Sequence, residues 1–318
     1  MRGGRSVFFA FILLAAVSLA FWPSAASARS VRDAVGRLVE VPQTPRRIVS
    51  LVPSVTEILY AVGAEKTLAG ITEFSDYPPR AARLPSVGRY DRPSLEAIVA
   101  LKPDLVFATA DCHSREFVGA LEKLGLNVYV VYARSISATL NDIRILAELA
   151  GRAREGQALA DSMERELEAV RTRSAGRQRP KVVLCIMLRP LMVCTPRTLG
   201  GELLAAAGAD NLVPDGGASY PVWSREALLA ADPDVIIAVS HAQDEDPAAF
   251  FRVHAPALAG RVRVIPADWL CRPGPRLLLG LRALEQALDA WASRRDETRD
   301  MGHDRNRGKM EYGVLLRR

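Results

Sequence analysis

The side chains of this chain that could do chemistry lie mainly in loops, and their types suit binding better than reaction. There is no Walker loop, G-x-S-x-G, H-E-x-x-H or C-x-x-C, so the signatures of nucleotide hydrolysis, acyl transfer, metalloproteolysis and dithiol exchange are missing. His113, His241, His254 and His303 are not at helical ligand spacing, and adjacent Cys112 and His113 rarely both reach one ion. The loops instead hold rings beside polar groups: Phe74-Ser75-Asp76-Tyr77, Gly88-Arg89-Tyr90-Asp91-Arg92, Ser219-Tyr220-Pro221-Val222-Trp223 and Asp268-Trp269-Leu270-Cys271-Arg272. Aromatics are only 6% of the chain, so their clustering in loops is informative. Walls made by Phe74, Tyr90, Tyr220 and Trp269, with Arg272 beside them, would take a large, flat, partly apolar ligand through area and stacking.

Two carboxylates form a second constellation. Glu96 and Glu226 each lie in the first helical turn after a serine, Ser94 and Ser224. Complementing the helix dipole would account for both, at about 0.3–1 kcal/mol each. They would also make an exposed pair, one per lobe, able to dock on a symmetric dimer with basic pockets.

These residues need elements to hold them. Ile48–Val52, Leu105–Thr109, Val128–Tyr132, Val182–Met187, Val235–Ser240 and Val262–Pro266 are apolar without alternation, which predicts strands of mainly parallel sheets covered on both faces. Pro103 and Pro233 end helices just ahead of strands. Ser94–Ala108 matches Ser224–Ala238 at an offset of 130 residues, with the Ser, both Ala of the helix, Glu, Pro, Asp and the final Ala shared. Thr56–Ala64 matches Gly201–Ala209 in the same order. Together they predict an α/β protein of two similar lobes. Ligands of parallel α/β sheets bind beyond the carboxyl ends of the strands, which would gather the aromatic loops at one cleft.

Between the lobes, Gly156, Ala160, Met163, Leu167 and Val170 recur every three or four residues in a charged stretch without proline. One narrow apolar stripe predicts a single connecting helix, about 35 Å long at ~1.5 Å per residue. The expected organisation is a secretory signal at 1–28, lobes at 29–151 and 177–292, the helix at 152–176, and a charged, disordered tail at 293–318.

The net charge of +6 is uneven. Arg2 and Arg5 face no acid in 1–28, and the tail carries an excess of three, so the body is near neutral and nucleic acid is not an expected partner. The apolar run Val7–Trp22 followed by Ala26-Ser27-Ala28 fits a cleavable signal, which predicts a periplasmic protein. Cys112, Cys185, Cys194 and Cys271 are too few for a disulfide scaffold. A turn at Arg189-Pro190 that sets Leu188 opposite Leu191 would also set Cys185 opposite Cys194. That would permit a bridge in an oxidising compartment, two buried thiols being the alternative.

The segments Arg47–Leu59, Gly70–Pro79, Leu95–Val106 and Arg272-Pro273-Gly274-Pro275-Arg276-Leu277 resemble periplasmic cobalamin-binding proteins of ABC importers, within a class that also binds ferric siderophores and haem. The similarity runs from about Val31 to Ala290. It implies a class III periplasmic-binding-protein-like fold and a non-enzymatic function: capture of a corrinoid and delivery to a permease dimer in the inner membrane. The corrinoid is then cargo, no resident cofactor or metal is implied, and a monomer is expected. The resemblance places Phe74, Tyr90, Tyr220 and the Asp268–Arg272 loop around the corrin, and Glu96 and Glu226 against permease arginines. The family's best-known member has tryptophan where this chain has Tyr90, Thr109 and Tyr220, and the disulfide of some relatives does not map onto these cysteines. Haem is the alternative ligand, since a Tyr90 phenolate would ligate ferric iron. A siderophore is another, paired with Arg89, Arg92 or Arg272.

Overall fold

The computed structural model describes residues 28–241 and 245–315, so the expected secretory segment lies outside it apart from Ala28. A hairpin comes first, β1 (Ala28–Arg32) pairing antiparallel with β2 (Leu38–Pro42). Its ten residues are absent from the strands expected on sequence, which begin at Ile48. The first lobe then runs β3 (Ile48–Ser50), α1 (Pro53–Ala61), β4 (Leu68–Ile71), α2 (Leu95–Ala100), β5 (Leu105–Thr109), α3 (Arg115–Lys123), β6 (Val128–Val131) and α4 (Ile136–Leu149). Its sheet is parallel, in the order β4-β3-β5-β6. After α5 (Ala153–Ser174) come β7 (Lys181–Leu188), β8 (Leu191–Val193), α6 (Leu199–Ala206), β9 (Asp210–Asn211), α7 (Arg225–Ala231) and β10 (Val235–Ser240). The chain closes with α8 (Pro247–His254), β11 (Val262–Pro266), α9 (Ala267–Leu270) and α10 (Leu277–Leu315). The second sheet has the order β11-β10-β7-β8, with β9 also on β7; β8 is antiparallel and the other pairings are parallel.

The internal repeat is a structural one. Ser94 and Ser224 cap α2 and α7, each hydroxyl accepting at 3.1 Å from the amide three residues on, Ala97 and Ala227. Lys102 and Asp232, 130 residues apart and each followed by proline, both take positive φ, 46° and 44°. The next aspartates are also equivalent. Asp104 accepts from the Arg46 and Arg47 amides and Asp234 from the Lys181 amide, so each holds the entry to the neighbouring strand. In the second match, Gly63 and Gly208 end α1 and α6 at φ 72° and 86°, the left-handed turn that glycine adopts without strain.

Each sheet is covered on both faces, which is why its strands lack alternation. On β5, Leu105 and Phe107 face a central core while Val106 and Ala108 face an outer one. On β10, Ile237 and Val239 face the same central core and Ile236 and Ala238 the outer side of the second lobe. The central core therefore runs through both lobes. α5 carries the expected stripe, with Gly156, Ala160, Met163, Leu167 and Val170 buried along 22 residues. A Cβ at Gly156 would collide with the Ala147 side chain of α4, so glycine sets the close approach of these helices.

α10 continues through most of the stretch expected to be disordered, as far as Leu315. No proline follows Pro275 to interrupt it.

Candidate functional site

Residues just beyond the carboxyl ends of β4, β5, β6, β10 and β11 line one cleft of about 850 Å³ between the lobes. The first lobe brings Phe74 from the loop after β4, and Arg89, Tyr90 and Asp91 from the loop before α2. The second brings Tyr220 from the loop before α7, and Asp268, Cys271 and Arg272 from α9 and the turn after it. Four of the five expected ligand contacts, Phe74, Tyr90, Tyr220 and Arg272, are thus together.

Trp269 is not. The one-turn helix α9 presents Asp268 to the cleft, with Arg272 at i+4 beside it. The half-buried Trp269 packs on the central core instead. Ala267, Asp268, Leu270 and Cys271 line the cleft on either side of it, while Trp269 itself does not.

The walls are held by cations. The Arg89 guanidinium lies 5.5 Å from the Phe74 ring centre and pairs with Asp91 at 2.9 Å. Arg134, after β6, lies over both Tyr132 and Tyr220, at 5.3 and 5.8 Å, so it reaches a ring of the opposite lobe. Asp111 pairs with it at 3.4 Å. Arg134 and Asp111 were missed by the reading of aromatic loops, although both follow strands and the carboxyl-end rule covers them.

Tyr90 is fastened from behind. His113 is buried; its Nδ1 accepts from the Thr109 amide at 3.1 Å, so Nε2 bears the proton and donates to the Tyr90 carbonyl at 2.9 Å. Burial lowers the pKa of this imidazole, keeping it neutral. With both nitrogens engaged, His113 is a staple and not a ligand. No group of three or more metal-binding side chains occurs among the described residues. Burial, then the Cys112 thiol, push the Tyr90 phenol well above its ordinary pKa. Burial likewise raises Tyr220. Both rings face the cleft as neutral phenols.

Arg272 is anchored on three carboxylates: Asp268 at 2.8 Å, and Glu57 and Asp76 at 3.2 Å each. Asp142 of α4 also lines the cleft and was not anticipated.

Cys185 and Cys194 are buried free thiols, the second of the two states that the sequence left open. Leu188 does face Leu191, and Met187 faces Met192, but the ladder slips one residue at Ile186 and Cys185 faces Val193. The bulge turns Cys194 out of register. Burial raises both thiols, Cys194 to about 12.

Glu96 and Glu226 lie outside the cleft, exposed in the first turns of α2 and α7. Ser94 donates to Glu96 at 2.9 Å, and Arg225 lies 3.3 Å from Glu226.

No helix of the described residues is long and apolar enough to cross a membrane. The profile of a family described as "Periplasmic binding protein" matches residues 48–260. The vitamin B12-binding protein of Yersinia pestis (strain Pestoides F) is 29% identical over 247 residues, 77% of this chain and 87% of that one. The crystal structure of the periplasmic vitamin B12 binding protein BtuF of Vibrio cholerae aligns with a TM-score of 0.69 at 28% identity, covering 79% of this chain and 99% of that one. A periplasmic heme binding protein from Pseudomonas aeruginosa aligns with a TM-score of 0.69 at 30% identity, covering 76% and 92%. Two pseudo-equivalent lobes, a connecting helix, a cleft at the strand ends and a profile spanning most of the chain agree: the protein belongs to the periplasmic binding protein family.

Proposed function

We propose that this protein is the substrate-binding component of a bacterial ABC importer, and that it holds a cobalamin or related corrinoid between its lobes in the periplasm. Its family is one of solute-binding proteins and not of enzymes. The observation that carries the ligand class is the set of neutral rings, Phe74, Tyr90 and Tyr220, around a cleft of about 850 Å³. Such walls suit a broad macrocycle, since they offer area and stacking without charge. Curated relatives named for vitamin B12 binding support the same choice. The corrinoid would be cargo, and no resident cofactor is needed. Glu96 and Glu226, on matching helix starts of the two lobes, would contact arginines of a permease dimer in the inner membrane. The protein would work as a monomer.

Haem is the second reading, favoured by one observation: Tyr90 lines the cleft, where a phenolate would bind ferric iron.

Calorimetry and absorption spectra of the purified protein with cyanocobalamin and with hemin separate the two. Sub-micromolar binding of cyanocobalamin is expected, since a preformed cleft loses little entropy on binding. No heat with any corrinoid, together with tight hemin binding and a tyrosinate-ligated spectrum, would replace the corrinoid by haem.

A further inference from the structure

The carboxylates lining the cleft are paired, with one exception. Asp91 has Arg89, Asp111 has Arg134, and Asp268 has Arg272 and Arg276. Asp142 makes no hydrogen bond or ion pair with any described residue. It stands on α4 one turn ahead of the buried Leu146, and both residues line the cleft. The cleft surface contributed by α1 and its approach, Val52, Pro53, Ser54, Val55 and Ile58, is apolar apart from Ser54 and carries no charge. Burial alone moves its carboxyl up to about 7, and its charge is felt by the buried Tyr129 phenol on β6. A carboxylate taken partly out of water with nothing to bond is expensive to keep. An unpaired acid of this kind that faces a ligand cavity is a site in wait of a donor.

The two ligand classes differ in what they would bring to it. A corrinoid carries primary amides around its rim, which are neutral N–H donors. Haem carries propionates, which are anionic acceptors. We propose that Asp142 selects between them: its carboxylate accepts a hydrogen bond from a rim amide of the corrinoid and repels a ligand that would present a carboxylate at the same place. This rests on the corrinoid reading above and adds to it the residue that discriminates. The aromatic walls do not discriminate, because stacking is open to any flat macrocycle.

The test is a pair of titrations at pH 8, cyanocobalamin and hemin, on the purified wild type, Asp142→Asn and Asp142→Ala, with circular dichroism of each variant. Asp142→Ala is expected to lower cyanocobalamin affinity about tenfold, the range for a hydrogen bond to a charged acceptor. Asp142→Asn keeps an acceptor oxygen and should lose less. Both should bind hemin more tightly than the wild type, because the repulsion is gone. If the alanine variant does not fold, the isosteric asparagine carries the test through its hemin-to-cobalamin affinity ratio, which must rise. Unchanged affinities for both ligands in variants of a cobalamin-binding wild type would overturn the role of Asp142 and leave the proposed function standing. A wild type that binds hemin and no corrinoid would overturn both.

Discussion

Glu57 and Glu202 occupy matching places in the internal repeat, and each reaches out of its own lobe into the other. Glu57, on α1, accepts from Arg276 at 2.6 and 2.8 Å and from Arg272 at 3.2 Å. Glu202, on α6, accepts from the Ile136 amide at 2.7 Å, at the start of α4 in the first lobe. One plan thus supplies two clasps, an ion pair in one direction and a helix cap in the other. With the core shared beneath them, they join the lobes at more than the connecting helix.

The two clasps should differ in strength. The Glu57 side chain is 2% exposed and that of Arg276 11%, so Glu57→Ala leaves buried guanidiniums short of a partner. A loss of about 3–5 kcal/mol is expected in urea unfolding. Glu202→Ala removes a cap and should cost about 0.5–2 kcal/mol. Two equally small losses would show that the Glu57 pair holds nothing.

The lobes should move little on binding. A helix of 22 residues and a continuous core make a stiff joint, unlike a pair of hinge strands. Small-angle scattering with and without cyanocobalamin should give nearly the same radius of gyration. A contraction of several ångströms on binding would contradict a rigid joint.

Tyr90 and Tyr220 stand on opposite lobes as walls of one cleft. Replacing either by alanine should weaken ligand binding by about 1–3 kcal/mol, with Tyr→Phe costing far less if ring area is what matters. Calorimetry on the four variants checks this, and a Phe variant as poor as Ala would point to the hydroxyl instead.

Asp142 should leave a mark on stability against pH. Its folded pKa, about 7, lies above that of a free carboxylate, near 3.9. The folded chain holds this proton where the unfolded chain has released it. Its contribution is therefore complete below about pH 4 and declines as pH rises to about 7. Asp142→Asn should flatten that part of the profile and be more stable than wild type at pH 8. Chemical denaturation from pH 4 to 8 reads the difference, and parallel profiles would mean that Asp142 titrates normally.

Glu96 and Glu226 should matter for transport alone. Both are exposed and do not line the cleft, so Glu→Ala at each site should leave ligand affinity intact and slow uptake into vesicles carrying the cognate permease. The double variant should be slower than either single one, and charge reversal to Arg slower again. Normal uptake by the double alanine variant would reduce both to helix capping.

The lobes, the strands from Ile48 on, the connecting helix and four of the five residues expected around the cleft were legible in the residues, because periodicity and proline punctuation act over a few positions. The repeat was legible for the same reason. Ser94 and Ser224 cap alike, and Lys102 and Asp232 turn alike, as a local motif does wherever it recurs. What depended on more distant neighbours was not. A one-residue slip at Ile186 separates Cys185 from Cys194, and hairpin arithmetic cannot see a bulge. Trp269 has the type of a cleft residue, but one turn of α9 gave that place to Asp268. Asp142 reads as an ordinary helix-surface acid, and only the meeting of the lobes around one cleft puts it in a cavity without a partner among the described residues. Glu57 is one glutamate among many until Arg276, 219 residues away, closes on it. Local chemistry is written in order along a chain, whereas burial, register and long-range pairing exist only once the two halves have met.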